Sequence, residues 1–211
     1  AFVSVKASES VSIVSDTFAL WAQNGTQSTQ APESHSSITV EAPTISIEGK
    51  EEAIVAFSNG EINVTGNATI KGGSALIDTR GYASVNINRD NSNATTVLEG
   101  DIVFETPNVE GGDGNFSGNL IDAFVNINLS GEGSSWTGRS YQSYKYVDAS
   151  NGTVAVVTSE IGENREYFGQ VSGLVLSVAK GAKWETTGDS FANVLNMDSG
   201  NLSLAADSVL H

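Results

Sequence analysis

Serine-type catalysis needs a histidine held by an acid beside its nucleophile. This chain has two histidines, His35 and His211. His211 is the last residue, and His35 sits in the polar stretch 32–37, PESHSS, which reads as a solvated loop. Paired carboxylates would serve glycoside hydrolysis, and Asp101 with Glu105 and Asp189 with Asp198 are near each other in sequence. Scattered surface acids are expected in so acidic a chain, and no base stands at matching strand spacing. Residues 111–116, GGDGNF, approach a calcium-binding nonapeptide. The run occurs once, and Phe116 stands where an aspartate ligand belongs. The expectation is therefore no enzyme, no cofactor and no metal site. What remains is aromatic: Trp136, Arg139, Tyr141, Tyr144 and Tyr146 form the main concentration of such residues. Tyrosine, tryptophan and arginine are favoured at interfaces, because they bring area and a hydrogen-bonding handle together. These five are the candidate binding residues, with packing of the same rings against the body as the alternative.

Charge restricts the partners. The formal net charge is −15, with 25 acidic residues against 10 Lys and Arg. A nucleic-acid surface needs clustered cations, so no nucleic acid is expected. The same charge opposes anionic membranes. No apolar run reaches the roughly 20 residues that span a bilayer, so no membrane insertion is expected. There is no cysteine, hence no disulfide or zinc–thiolate site. Hydrophobic residues make up 39% and charged ones 17%. Asn, Ser, Thr and Gly fill the balance, which suits short strands and many turns better than helices.

The elements that must position these residues are short alternating runs: Val3 and Val5, Val11 and Ile13, Phe18 and Leu20, Ile38 and Val40, Ile45 and Ile47. A continuous apolar run follows at 53–57, AIVAF. The order recurs at roughly 20–25 residues, a solenoid period. Gly49, Asn59, Gly66, Gly72 and Gly100 mark the junctions. A strand-then-tryptophan unit occurs twice, at 125–138 (VNINLSGEGSSWTG) and at 174–188 (LVLSVAKGAKWETTG). Repetition of such a unit points to stacked turns of three short strands each. Trp136 and Trp184 are then expected to cover the apolar edge of one turn each. The reading is one all-β unit over 1–211, with loop insertions at 22–37, 107–119 and 139–170. A start at Ala1 and a stop in mid-pattern at His211 suggest a piece of a longer polypeptide.

Residues 181–204, GAKWETTGDSFANVLNMDSGNLSL, together with 60–70, GEINVTGNATI, resemble the passenger region of bacterial autotransporters of the pertactin-like kind. The resemblance implies a right-handed parallel β-helix displayed at the bacterial cell surface or secreted, anchored through a translocator barrel absent from this chain. It implies an adhesin or an aggregation and biofilm factor. Its partner would be a host or bacterial surface protein or glycan, or a second copy. The proteases of that family carry a GDSG nucleophile motif, whereas residues 188–191 here read GDSF, so protease activity is not expected. A structural stalk, a carbohydrate-active β-helix enzyme and a lectin-like β-sandwich are the alternatives.

Overall fold

The computed structural model describes residues 1–24, 35–80, 82–110, 123–148, 153–159 and 173–211, all of them strand, turn or irregular chain. The first strands are β1 (Phe2–Lys6), β2 (Ser10–Ser15), β3 (Phe18–Gln23), β4 (Ser36–Gly49), β5 (Glu52–Phe57) and β6 (Gly60–Gly72). Next come β7 (Ala75–Arg80), β8 (Ser84–Ile87), β9 (Thr96–Glu99), β10 (Ile102–Glu110), β11 (Phe124–Leu129) and β12 (Ser135–Thr137). The last are β13 (Ser140–Asp148), β14 (Thr153–Ser159), β15 (Gly173–Ala179), β16 (Lys183–Glu185), β17 (Val194–Asp198) and β18 (Asn201–Ser203).

These strands form two sheets. Twelve belong to a large sheet, in which β17, β15, β11, β8, β6, β9, β12, β16 and β18 follow one another and β4, with β1 and β2, joins through β6. Its strand pairs are all parallel. The two ends of the nine-strand path, β17 and β18, are consecutive in the chain, so the sheet turns back on itself as a nearly closed parallel barrel. The second sheet has six strands in the order β14, β13, β10, β7, β5 and β3. It is parallel except for the antiparallel pair of β13 with β14.

This architecture corrects the expected right-handed β-helix of three short strands per turn. The sequence reading placed a junction at Gly66 and took Ile38 with Val40 and Ile45 with Ile47 as separate runs. In the structure β4 and β6 run straight through both places, as strands of 14 and 13 residues. Ala42 and Pro43 form a bulge in β4, where the register shifts between Glu41 and Thr44. Proline, which has no N–H to donate, is tolerated at such a bulge. Gly66 lies opposite at φ +143°, and a Cβ there would stand 1.8 Å from the Ala42 carbonyl oxygen. Two runs that read as separate strands are thus one bent strand, and what would have been two sheets merges into one. The resemblance to pertactin-like passengers and the adhesin or aggregation role implied by it depended on the helical coil and fall with it.

Register is set by apolar matching. On one wall Val40 faces Val64 and Val64 faces Ile87, while Val85, Val125 and Leu174 continue beside them. On another, Ile47, Ile70 and Leu98 lead to Trp136 and Trp184. In the small sheet Leu20, Ile54, Ile77 and Ile102 align. These side chains form one buried cluster shared by both sheets. A one-residue slip would turn every one of them outward. Strand β5 is buried on both faces, which explains its unbroken apolar run.

One core position breaks the pattern. Thr79 is fully buried between Ala56 and Phe104, and its Oγ1 has no hydrogen-bond partner among the described residues. An unmatched buried hydroxyl is destabilising. Thr79→Val, of nearly the same volume, is expected to stabilise the fold by about 1 kcal/mol, seen as a higher urea midpoint at unchanged slope. A lowered midpoint would show that the hydroxyl is engaged.

Candidate functional site

The groove of interest begins with the bend just described. Where β4 bulges and β6 turns at Gly66, the surface sinks between the β1–β2 connection and the chain joining β8 to β9. The resulting groove has a volume of about 620 Å³. Small apolar residues, Ala7, Ala42, Pro43 and Ala94, are among those that line it. Polar residues line it as well: Lys6, Ser8, Glu41, Asn67, Asn91 and Asn93.

Regular strands hold this lining. Lys6, Glu41 and Thr65 stand in register on β1, β4 and β6. The groove therefore crosses three hydrogen-bonded strands, each about 4.8 Å from the next. Asn88 clamps the bend from beneath. Its Oδ1 accepts the Gly66 N–H at 2.9 Å, and its Nδ2 donates to the Gly66 carbonyl at 2.8 Å and to Thr96 Oγ1 at 2.9 Å. Asn88 takes φ 51°, a left-handed conformation that asparagine tolerates.

Hydrogen bonds also fix how three lining amides are oriented. Asn67 Oδ1 accepts the Thr95 N–H at 2.9 Å, and Asn91 Oδ1 accepts the Asn93 N–H at 3.4 Å. Asn93 Oδ1 accepts from Lys180 Nζ, which also reaches the Ser92 carbonyl, each at 3.2 Å. With every oxygen accepting, the amide identity is settled and the three Nδ2 groups are left without partners among the described residues. The outward row Asn63, Asn86 and Asn126 differs. There Asn126 Nδ2 donates to Asn86 Oδ1 and Asn86 Nδ2 to Asn63 Oδ1, each at 2.9 Å, so the row is bonded along its length. Lys6 and Glu41 pair at 2.6 Å, both well exposed, so the groove carries little net charge despite the acidic chain. Such a surface pair adds little stability.

No family model, curated protein or solved structure matches this chain. The groove must accordingly be read from its own chemistry.

Of the five residues expected to bind from sequence, three have described side chains. Trp136 is fully buried, stacked on Trp184 at 4.8 Å between ring centroids, and belongs to the interior. Tyr144 and Tyr146 lie on β13, and their side chains fall outside the described residues. Arg139 and Tyr141 do meet: the guanidinium lies over the tyrosine ring at 4.5 Å. Arg139 Nε donates to Asp101 Oδ2 and its backbone N–H to Asp101 Oδ1, both at 3.1 Å. Thr187 Oγ1 donates to the same carboxylate at 3.3 Å. Asp101 thereby joins three segments far apart in sequence, and the arrangement is a fastening as much as a surface. Of the expected insertions, residues 25–34, 111–119, 149–152 and 160–170 lie outside the described residues, while β10, β13 and β14 occupy parts of the other stretches. Among the described residues no group of three or more His, Asp or Glu is placed to hold a metal ion. His35 packs edge-on against Phe2.

Burial, and next the charge of Asp101, push the Tyr141 hydroxyl above the usual tyrosine range, while Arg139 opposes them. The folded pKa is raised, so the neutral phenol is the form that the fold favours. Its contribution is whole below the ordinary tyrosine pKa and lost as pH rises through the shifted value. In an ultraviolet tyrosinate titration, Tyr141→Phe is expected to remove a late-titrating component, and Asp101→Asn to move it to lower pH. Loss of an early component instead would contradict this placement.

The groove residues Asn67, Asn91 and Asn93 were missed by sequence reasoning. The signal was present in 86–93, NINRDNSN, where four asparagines fall within eight residues. In so asparagine-rich a chain it passed for an ordinary turn.

Proposed function

We propose that this chain is a non-catalytic binding module that takes a neutral glycan chain along the groove. The observation carrying this reading is the set of uncommitted amide donors, Asn67, Asn91 and Asn93, beside small apolar residues in an open, charge-balanced groove. Sugar hydroxyl and ring oxygens are acceptors in need of such donors. The strand spacing of about 4.8 Å is close to the length of one pyranose unit in an extended chain. A rigid sheet floor spares the ordering cost that mobile loops incur on binding. The net charge of −15 disfavours anionic polymers, nucleic acid among them. Such a module would work outside the cell, at a bacterial surface or released from it.

Isothermal titration against a panel of neutral oligosaccharides tests this. Micromolar to millimolar binding is expected for at least one, weakened about tenfold by Asn93→Ala, which removes one donor and unseats Lys180. An exposed position such as Asn93 should leave thermal stability unchanged. Absence of binding across the panel, or equal binding by the variant, would refute the reading.

A further inference from the structure

We infer that this chain joins end to end with further copies of itself, the β17 and β18 edge of one copy adding to the β1 and β2 edge of the next. The inference is independent of the groove. Among the described residues each of these four strands is paired on one side only: β1 and β2 with β4, β17 with β15 and β18 with β16. Soluble proteins usually guard such edges with charge, proline or a bulge. Here the four strands hold no proline and only two charged residues, Asp198 and Lys6, the latter paired with Glu41, in a chain of net charge −15. The well-exposed large apolar side chains among the described residues fall in two stretches, 2–21 and 194–209. Phe2, Val3, Val14, Val194 and Met197 stand on the edge strands themselves.

The two edges complement each other in side chains and in backbone. A ladder of paired apolar residues runs from Val5 through Val40 and Ile127 to Leu195. A second runs from Ile13 through Ile70 and Trp136 to Leu202. Their inner members are buried, and the four end members are only partly covered. Seating Leu195 beside Val5 and Leu202 beside Ile13 of the next copy continues both ladders. The backbone agrees with that register. The Ala7 N–H donates to Glu41 and the Lys50 N–H to the Ser15 carbonyl, so odd-numbered residues of β1 and β2 turn to β4. By strand alternation Ser4, Lys6, Ser12 and Val14 direct their N–H and C=O to the free side. On the other edge Lys180 donates to the Asp198 carbonyl and the Asn201 N–H to Ala182, which leaves the backbone of Leu195 and Leu202 facing out. In a parallel pair one residue bonds to both flanks of its opposite number. Leu195 would donate to Ser4 and accept from Lys6, and Leu202 would donate to Ser12 and accept from Val14. Such a contact joins unlike edges, so it continues past two copies.

Sedimentation velocity in about 0.5 M salt, which screens repulsion between copies to a few ångströms, tests this. Species larger than a dimer are expected, growing with concentration. Val14 is 68% exposed and its N–H faces the free side, where proline is tolerated. Val14→Pro should therefore keep its urea midpoint and weaken association at least about tenfold, whereas Val14→Thr, which keeps the N–H, should assemble like the parent. Met197→Pro blocks the opposite edge. Each proline variant retains one usable edge, so a mixture of the two folded variants should give dimers and nothing larger. A parent that stays monomeric or stops at a dimer would overturn the inference. So would undiminished assembly of Val14→Pro, or a mixture of the folded variants that stays monomeric.

Discussion

Replacing Trp184 by alanine is expected to cost about 4 kcal/mol of stability, within the range for truncating a buried tryptophan. Trp184 is fully buried and lies against Trp136 with the ring planes 4° from parallel. Each indole N–H donates to a backbone carbonyl on a neighbouring strand connection: Trp136 to Gly100 at 2.9 Å and Trp184 to Gly138 at 3.1 Å. Those glycines are required for the approach. At Gly138 φ is +153°, and a Cβ would stand 2.0 Å from the Gly100 oxygen and 2.7 Å from the Trp136 indole nitrogen. Truncation at 184 leaves a cavity beside Trp136 and an orphaned carbonyl at Gly138, two penalties that add. Trp184→Phe keeps most of the ring and loses the donor, and should cost about 1–2 kcal/mol. Urea unfolding of both variants provides the measurement. An alanine variant within 1 kcal/mol of the parent would mean that the stack contributes no packing.

Asn88→Ala is the second large effect, about 3 kcal/mol from three hydrogen bonds lost at a residue only 1% exposed. Alanine also fits poorly at φ 51°. Asn88→Gly separates the two causes, since it relieves the backbone and still loses the bonds. It should recover at most about 1 kcal/mol of the loss. Asn88→Asp retains the acceptor for Gly66, gives up both donated bonds and buries a charge, so it should be no better than alanine. Because Asn88 holds the bend that shapes the groove, oligosaccharide affinity should fall in all three. A variant that loses stability but binds undiminished would show that the groove does not depend on the bend.

Several features of this molecule were readable before the fold was seen. The alternation around Val40, Ile62 and Val85 marks strands with one buried face, and they are strands. The two strand-then-tryptophan units lie side by side in the structure: Val125 pairs with Leu174, Ile127 with Leu176 and Trp136 with Trp184. Their repetition in sequence reflects neighbours that must match in size along a parallel ladder. The aromatic cluster was only partly legible. Arg139 and Tyr141 do touch, but nothing in a sequence separates a tryptophan that covers an edge from one sealed in the interior.

Local patterning alone established the strand character and the apolar faces of the alternating runs, because side-chain alternation is a property of successive residues. Tertiary contact decided the rest. Whether residues 41–44 and 65–67 end a strand or bend it depends on how closely the Ala42 carbonyl approaches Gly66, a distance between segments that no local pattern encodes. On that approach turn the merging of two expected sheets into one, the wall that nearly closes, and the groove in its corner. The donors at Asn67, Asn91 and Asn93 became visible only once their oxygens were seen to be taken, because a side chain's free hydrogen-bonding capacity is what its neighbours leave over.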